Sequence, residues 1–318
     1  MKEAGRKYQT IFPLNERKIW KEVLHNIDHI TEIRMKAEKP VLIYFKQREI
    51  SMNEEGTFIY VPEKGKIVSY IELQHLVDYW CQDSRYAFQE EIKRGFLTIE
   101  GGHRIGICGE VVNDGNGNIN TIKYISAVNI RIAHEVKGAA KEIIGYLYGK
   151  NGIENTLIVS PPGAGKTTLL RDMIRLLANG NGENLGVRVG LIDERGEIAA
   201  CFKGIPQLDV GLRTDVLDNC KKSVGMRMLL RAMAPQVIAV DELGSVEEFE
   251  LIRQMTGNGC AVIATIHGDD LEEIKNKPVL GQILEEQLFQ NIIRLSKEKN
   301  LFHIEVYRGK EWSLCYRC

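Results

Sequence analysis

Two hydrophobic rhythms divide the chain. In the first part, apolar residues recur at helical spacing over 14–27, and again over about 71–82 and 86–93. Short alternating runs lie between and after them: Ile30–Met35, Val41–Phe45, Phe96–Glu100, Arg104–Val112 and Ile122–Ile132, with a turn signal at Asn113-Asp-Gly-Asn-Gly. Helices mixed with alternating strands predict a small α+β domain. A helix predicted over 139–148 stops at Gly149 and Asn151-Gly152. Beyond it the strands become apolar almost throughout (Thr156–Val159, Val187–Ile192, Val237–Val240, Ala261–Ile266), and helical text separates them (Leu169–Leu177, Met226–Met233, Val246–Met255). Strands with no polar face, alternating with helices, predict a parallel sheet covered on both sides. The expected fold class is therefore α/β, with a parallel-sheet core preceded by the smaller α+β domain. The expected boundary divides residues 1–137 from 138–318.

A length of 318 residues suits two domains, and 44% apolar with 27% charged residues is ordinary globular composition. Lys and Arg total 42 against 43 for Asp and Glu, a formal charge of -1, so no global basic field favours nucleic acid. The apolar runs fall far short of the roughly 20 residues a bilayer crossing needs, and no apolar signal segment follows Met1-Lys-Glu-Ala-Gly-Arg-Lys. A cytoplasmic protein is expected. The seven cysteines are scattered, as reduced core thiols would be, and the one C-x-x-C (Cys315 to Cys318) has no second pair to complete a zinc site.

The chemistry concentrates in the second part. Thr156-Leu-Ile-Val-Ser-Pro-Pro-Gly-Ala-Gly-Lys-Thr-Thr-Leu-Leu runs strand, glycine loop, Lys-Thr, helix. Successive backbone N–H groups and a helix N-terminus in that order make a cavity for a β-phosphate. Pro162, Gly163, Ala164, Gly165, Lys166, Thr167 and Thr168 would line it: the glycines permit the turn, Lys166 neutralises β- and γ-phosphate charge, and Thr167 would hold Mg2+. The strict motif begins with Gly where Ser160 stands. This reading makes the core a P-loop sheet of the RecA or AAA+ kind that binds and hydrolyses ATP.

A second signal is Gln236-Val-Ile-Ala-Val-Asp-Glu, an apolar strand ending in two carboxylates. Asp241 would bind a metal-held water and Glu242 would polarise the attacking water; in isolation such a pair also reads as a helix cap. His267 ends the strand from Cys260 and would sense the γ-phosphate, against the commoner structural role of a strand-end histidine. Asp193 and Glu194, with Arg195, follow another strand. Two readings stay open for them: orienting water or sugar, or pairing in a solvated turn.

Together these pieces resemble the ATPases of type II and type IV secretion and pilus retraction. Gly-Ala-Gly-Lys-Thr-Thr matches Walker A, Met233-Ala-Pro-Gln-Val-Ile-Ala-Val-Asp-Glu matches Walker B, Ala264-Thr-Ile-His-Gly the His box, and Ile192-Asp-Glu-Arg-Gly-Glu-Ile stands at the Asp box. More narrowly, Gly101-Gly-His-Arg-Ile-Gly-Ile-Cys-Gly-Glu, Ile130-Arg-Ile-Ala, Gly204-Ile-Pro-Gln-Leu-Asp-Val-Gly-Leu-Arg-Thr-Asp-Val-Leu-Asp and Val240-Asp-Glu-Leu-Gly resemble the stage III sporulation protein AA family, over about residues 30–296. The resemblance implies a Mg2+-dependent ATPase of endospore formation, hexameric, mother-cell cytoplasmic, and working on membrane-embedded secretion-channel proteins. It also implies that arginines of the first domain reach nucleotide: Arg131 matches best, Arg104 less well, and Arg213 of the second domain would act as a finger in trans. The four-cysteine zinc insertion of some type II secretion ATPases is absent from the sequence, and little text follows Leu295.

Overall fold

The computed structural model describes residues 8–180, 184–298, 301–309 and 311–318. The chain divides into two compact units, Met1–His134 with Ala200–Gln207, and Glu135–Ala199 with Leu208–Cys318. Eight residues far along the chain also belong to the first unit, which a single cut does not capture.

In the first unit, α1 (Lys21–His25) precedes β1 (Ile30–Lys36), β2 (Leu42–Phe45), β3 (Arg48–Met52) and β4 (Phe58–Ile59). Then come α2 (Tyr70–Trp80), α3 (Gln89–Lys93), β5 (Phe96–Thr98), β6 (Arg104–Asn113) and β7 (Ile119–Arg131). The strands form one antiparallel sheet in the order β4-β3-β2-β1-β7-β6-β5. The helix α2 starts where the Ser69 hydroxyl accepts the Glu72 N–H and the Glu72 carboxylate accepts the Ser69 N–H, a reciprocal cap. Its Leu73, Leu76, Val77 and Trp80 are buried, one helical stripe laid on the sheet. The β6–β7 hairpin turns where Asp114 Oδ1 accepts the N–H groups of Asn116 and Asn118 at 2.8 and 2.9 Å. Its ladder slips at Gly109, where a Cβ would meet the Lys123 carbonyl oxygen at 2.6 Å.

Two expected helices are corrected. Over 14–27 only Lys21–His25 is α-helical, because the stretch opens as turns in which the Pro13 carbonyl accepts the N–H groups of both Glu16 and Arg17. Over 139–148 there are turns, a 3-10 helix at Ile144–Leu147 and a strand pair starting at Tyr148. Gly145 weakens helical text here, and the end of the stretch is taken into a strand pair in which Tyr148 faces Ile153.

The second unit contains β8 (Thr156–Ser160), α4 (Lys166–Asn179), β9 (Val189–Asp193), β10 (Thr214–Asp218), α5 (Lys222–Ala232), β11 (Val237–Val240), α6 (Val246–Gly257) and β12 (Ala261–His267). It ends in β13 (Asn291–Glu298), β14 (Leu301–Arg308) and β15 (Ser313–Arg317). Its sheet runs β10-β9-β11-β12-β8-β13-β14-β15, in which the first six strands are parallel and β13–β14 and β14–β15 are antiparallel pairs. Every residue of β8, β9 and β11 is buried, as the unbroken apolar runs require of strands covered on both faces. Cys315 lies on β15 and Cys318 just beyond it, both exposed, and no group of three or more His, Cys, Asp or Glu among the described residues could hold a metal ion. Among the described residues no helix is long and apolar enough to cross a membrane.

Asn155 ties the entry of β8 to its surroundings. Its amide nitrogen donates to Thr256 Oγ1 at 2.8 Å and to the Leu288 carbonyl at 2.7 Å, and its oxygen accepts the Val262 N–H at 2.8 Å. Asn155→Ala strands those buried groups, so a loss of about 2 to 4 kcal/mol is expected. Urea unfolding of the two proteins measures it; an unchanged midpoint would contradict this account.

Candidate functional site

The strand β8 delivers the chain into a turn at Pro161–Gly165 in which Gly163 and Gly165 have φ of 75° and 89°. Side chains rarely adopt that region, which is why these two positions are glycine. Gly165 caps α4, so the unpaired N–H groups and positive end of a long helix open onto the turn. Ser160, in place of the motif's glycine, is buried with its hydroxyl donating to the Pro161 carbonyl at 2.8 Å. The serine is absorbed by the loop itself. Pro162 and Gly163 are exposed and Ala164 buried, while Thr167 and Thr168 are half-buried on the first turn of α4.

The first helical side chain, Lys166, is 7% exposed, and its ammonium lies 3.2 Å from Glu242 Oε1 and 3.9 Å from Asp241 Oδ1. Thr167 Oγ1 donates to Asp241 Oδ2 at 3.3 Å. Both carboxylates sit just past β11, which is separated from β8 by β12. The intervening strand supplies the link: the Thr265 hydroxyl donates to Asp241 Oδ1 and accepts the Glu242 N–H at 2.8 Å. Glu242 itself has φ of 53°, a conformation that costs a non-glycine residue about 1 kcal/mol or more and that these bonds hold in place. The Leu243 N–H bonded to the Thr265 carbonyl at 2.9 Å closes the turn.

His267 Nε2 lies 2.7 Å from Glu242 Oε1 and 3.2 Å from Lys166 Nζ. A proton on Nε2 satisfies the shorter contact, so imidazole and ammonium are two donors converging on one carboxylate oxygen. The other oxygen, Oε2, is taken by Arg195 Nη2 at 2.7 Å. Burial pushes the Glu242 pKa up, but the His267 hydrogen bond and the Lys166 and Arg195 charges outweigh it and hold the carboxyl below its ordinary range.

The remaining sequence candidates are placed differently. Asp193 is buried at the end of β9 and accepts the N–H groups of Glu197, Ile198 and Ala199 at 2.9, 2.9 and 2.8 Å. Burial raises its pKa in spite of those bonds. The same loop is gripped from the other side by the buried Arg171 guanidinium, which donates to the Ile198 and Glu197 carbonyls. Asp193 thus shapes the loop that carries Arg195. Glu194 pairs with Lys222 at 2.6 Å. Arg213 donates to the Ala178 carbonyl at 2.9 Å, at the far end of α4 and about 18 Å along the helix from Lys166. Arg131 is exposed at the end of β7 in the first unit, opposite Glu32 on one side and Arg104 on the other. The Arg104 guanidinium lies over the Phe96 ring, 3.5 Å from its centroid.

Thr265 and the Arg195 contact with Glu242 are the features that residue-by-residue reading missed. Thr265 had a faint signal, since it stands two residues before His267 on the same face of one strand. Arg195 had none, because only the path of the 193–199 loop brings it to Glu242.

The depressed Glu242 pKa has a defined sign. Above its ordinary value of 4.5 the carboxylate is ionised in folded and unfolded chains alike, and its ion pairs contribute fully; the contribution fades as pH falls below 4.5 through the lower folded value. The stability difference between the parent and Glu242→Gln is therefore expected to shrink as pH falls from neutral to below 4.5. Urea midpoints across that range measure it, and a constant difference would contradict the assignment.

With this geometry in view, comparison with known proteins is specific. A family model described as "Sporulation stage III, protein AA" matches residues 2–311. Stage III sporulation protein AA of Bacillus subtilis (strain 168) is 38% identical over 270 residues, covering 85% of this chain and 83% of the relative. Among solved structures, the pilus retraction motor PilT with bound ADP aligns over 92% of this chain and 83% of its own, with a TM-score of 0.59 and 18% identity. The ATPase DotB of Legionella pneumophila aligns over 92% and 80%, with a TM-score of 0.57 and 14% identity. These two establish the fold: that of the P-loop secretion ATPases, with a smaller antiparallel-sheet unit ahead of it. The matches over nearly the whole chain establish the lineage, and the protein belongs to the sporulation stage III protein AA family.

Proposed function

We propose that this chain is a Mg2+-dependent ATPase that works as a secretion-type motor on a membrane-embedded channel complex during endospore formation. The observation that carries the proposal is the meeting of Lys166 with Asp241 and Glu242 beside a glycine turn at a helix N-terminus. A cation, two carboxylates and a row of backbone donors suit a triphosphate and its metal.

In the proposed cycle the backbone N–H groups of Gly163 to Thr168 hold the phosphates and Lys166 turns from Glu242 to the β- and γ-phosphate oxygens. Thr167 and Asp241, whose oxygens are 3.3 Å apart, would hold Mg2+, the first through its hydroxyl and the second through its carboxylate. The metal would neutralise charge between the β- and γ-phosphates. Glu242, released by Lys166 but still held by Arg195, polarises the attacking water. His267, at the tip of β12, bonds to Glu242 or to the γ-phosphate and so reports which is present. Asp193 and Glu194 support this site through the loop they anchor.

The family resemblance extends the proposal beyond one subunit. Arg131 presents its charge to nucleotide from the first domain, with Arg104 beside it, and Arg213 acts toward a neighbouring subunit of a hexameric ring. The working location is the mother-cell cytoplasm at the membrane, reached through channel proteins. The near-neutral charge speaks against a nucleic-acid track.

Lys166→Ala is expected to abolish ATP binding, measured by calorimetry with a non-hydrolysable analogue. Glu242→Gln should bind ATP normally and turn it over on the order of 100-fold or more slowly, read as phosphate release. Retained binding by Lys166→Ala would remove the proposal, and retained turnover by Glu242→Gln would remove its water-activating step. Arg195→Ala should raise the Glu242 pKa and move the acid limb of the pH–rate profile to higher pH, an effect that a merely structural role would not produce.

A further inference from the structure

The strand β8 has two parallel neighbours, and the acidic cluster lies toward only one of them. On one flank is β12, which ends in His267, with Asp241 and Glu242 past the next strand, β11. On the other is β13, which turns into β14. A phosphate chain lying across the glycine turn with its terminal phosphate at Glu242 and His267 must send its nucleoside the other way, toward the β13–β14 hairpin.

An aromatic side chain stands exposed on that flank. Phe302 pairs with Lys297 across the hairpin, is 54% exposed, and brings ring atoms Cε1 and Cδ1 to 3.6 and 3.9 Å from the position a Cβ would occupy on Gly165. A Cβ at that position would be in ordinary van der Waals contact with the ring, so the ring lies directly beside the glycine turn. The Lys297 ammonium lies over the ring, 5.1 Å from its centroid. A large apolar ring left in water at the mouth of an anion-binding turn, with a cation beside it, suits a ligand that is anionic at one end and flat and aromatic at the other.

We propose that Phe302 is the platform on which the nucleotide base stacks, with Lys297 supporting the ring and adding positive charge to the same flank. The inference rests on the phosphate-binding reading of the same site and adds a residue and a preference to it. Stacking reads the area of a base and not the pattern of its edges, so purine nucleotides are preferred to pyrimidine ones.

The test compares ligands that share the phosphates and differ in the base. Calorimetry on the full chain with Mg2+ would use a non-hydrolysable ATP analogue, the corresponding UTP analogue and inorganic tripolyphosphate, against the parent, Phe302→Ala, Phe302→Trp and Lys166→Ala. Phe302→Ala is expected to weaken the ATP analogue about tenfold and the UTP analogue less, and to leave tripolyphosphate unchanged. Phe302→Trp should restore ATP affinity, with a quenching of fluorescence by the ATP analogue that exceeds the parent's and that tripolyphosphate does not cause. Unchanged or tighter ATP binding by Phe302→Ala would overturn the proposal, as would equal losses for ATP and tripolyphosphate, which would mean the ring only shapes the loop. Failure of the phosphate-binding reading looks different: tripolyphosphate would then bind the parent and Lys166→Ala alike.

Discussion

The second unit is organised around the attraction between one ammonium group and two carboxylates that arrive from different parts of the chain. Asp241 and Glu242 are consecutive and partly buried, and two like charges in that position repel unless a cation lies between or beside them. Lys166 is that cation, brought by the first turn of α4. Its arrival requires the left-handed glycines before it, since they let the chain leave β8 and enter the helix within a few residues. Loop, helix start and carboxylates are one electrostatic arrangement, and each part is unfavourable without the others.

Strand order gives this arrangement its reach. The carboxylates lie two strands away from β8, and the strand between them contributes Thr265 and His267 from one face. Thr265 bonds to Asp241 and to the Glu242 backbone, so the acidic pair is held from β12 as well as from its own strand. His267 and Arg195 then divide the two oxygens of Glu242 between them. A carboxylate held by three cations or donors is well placed to change partners if a more highly charged anion enters, because such an anion would compete for the same donors.

Several parts of this were legible in the residues. The run from Gly163 to Thr168 needs particular backbone angles and a particular helix end, both of which are local and therefore written locally. The buried parallel strands announced themselves by having no polar face. Other parts were not legible. The edge strand Thr214–Asp218 is half-buried along its length and has no unbroken apolar run to mark it. The β13–β14–β15 sequence alternates weakly, and its partners are set by the sheet edge that β8 leaves open. The expected helix over 139–148 gives way to turns, a 3-10 helix and a strand at Tyr148, whose partner Ile153 lies beyond the stretch that was read as helical.

The sequence alone determined the features that depend on neighbours along the chain: the glycine turn, the helix caps, the acidic strand end and the family to which they point. Local backbone geometry leaves a residue signature at each of these. The tertiary structure alone decided which distant groups meet, placing Arg195 on Glu242, Thr265 between the carboxylates and the backbone, Asp193 under its own loop, and Arg213 at the wrong end of α4 to meet Lys166. Those outcomes follow from strand order and loop path, which arise from packing the whole sheet and are encoded by no single stretch of it.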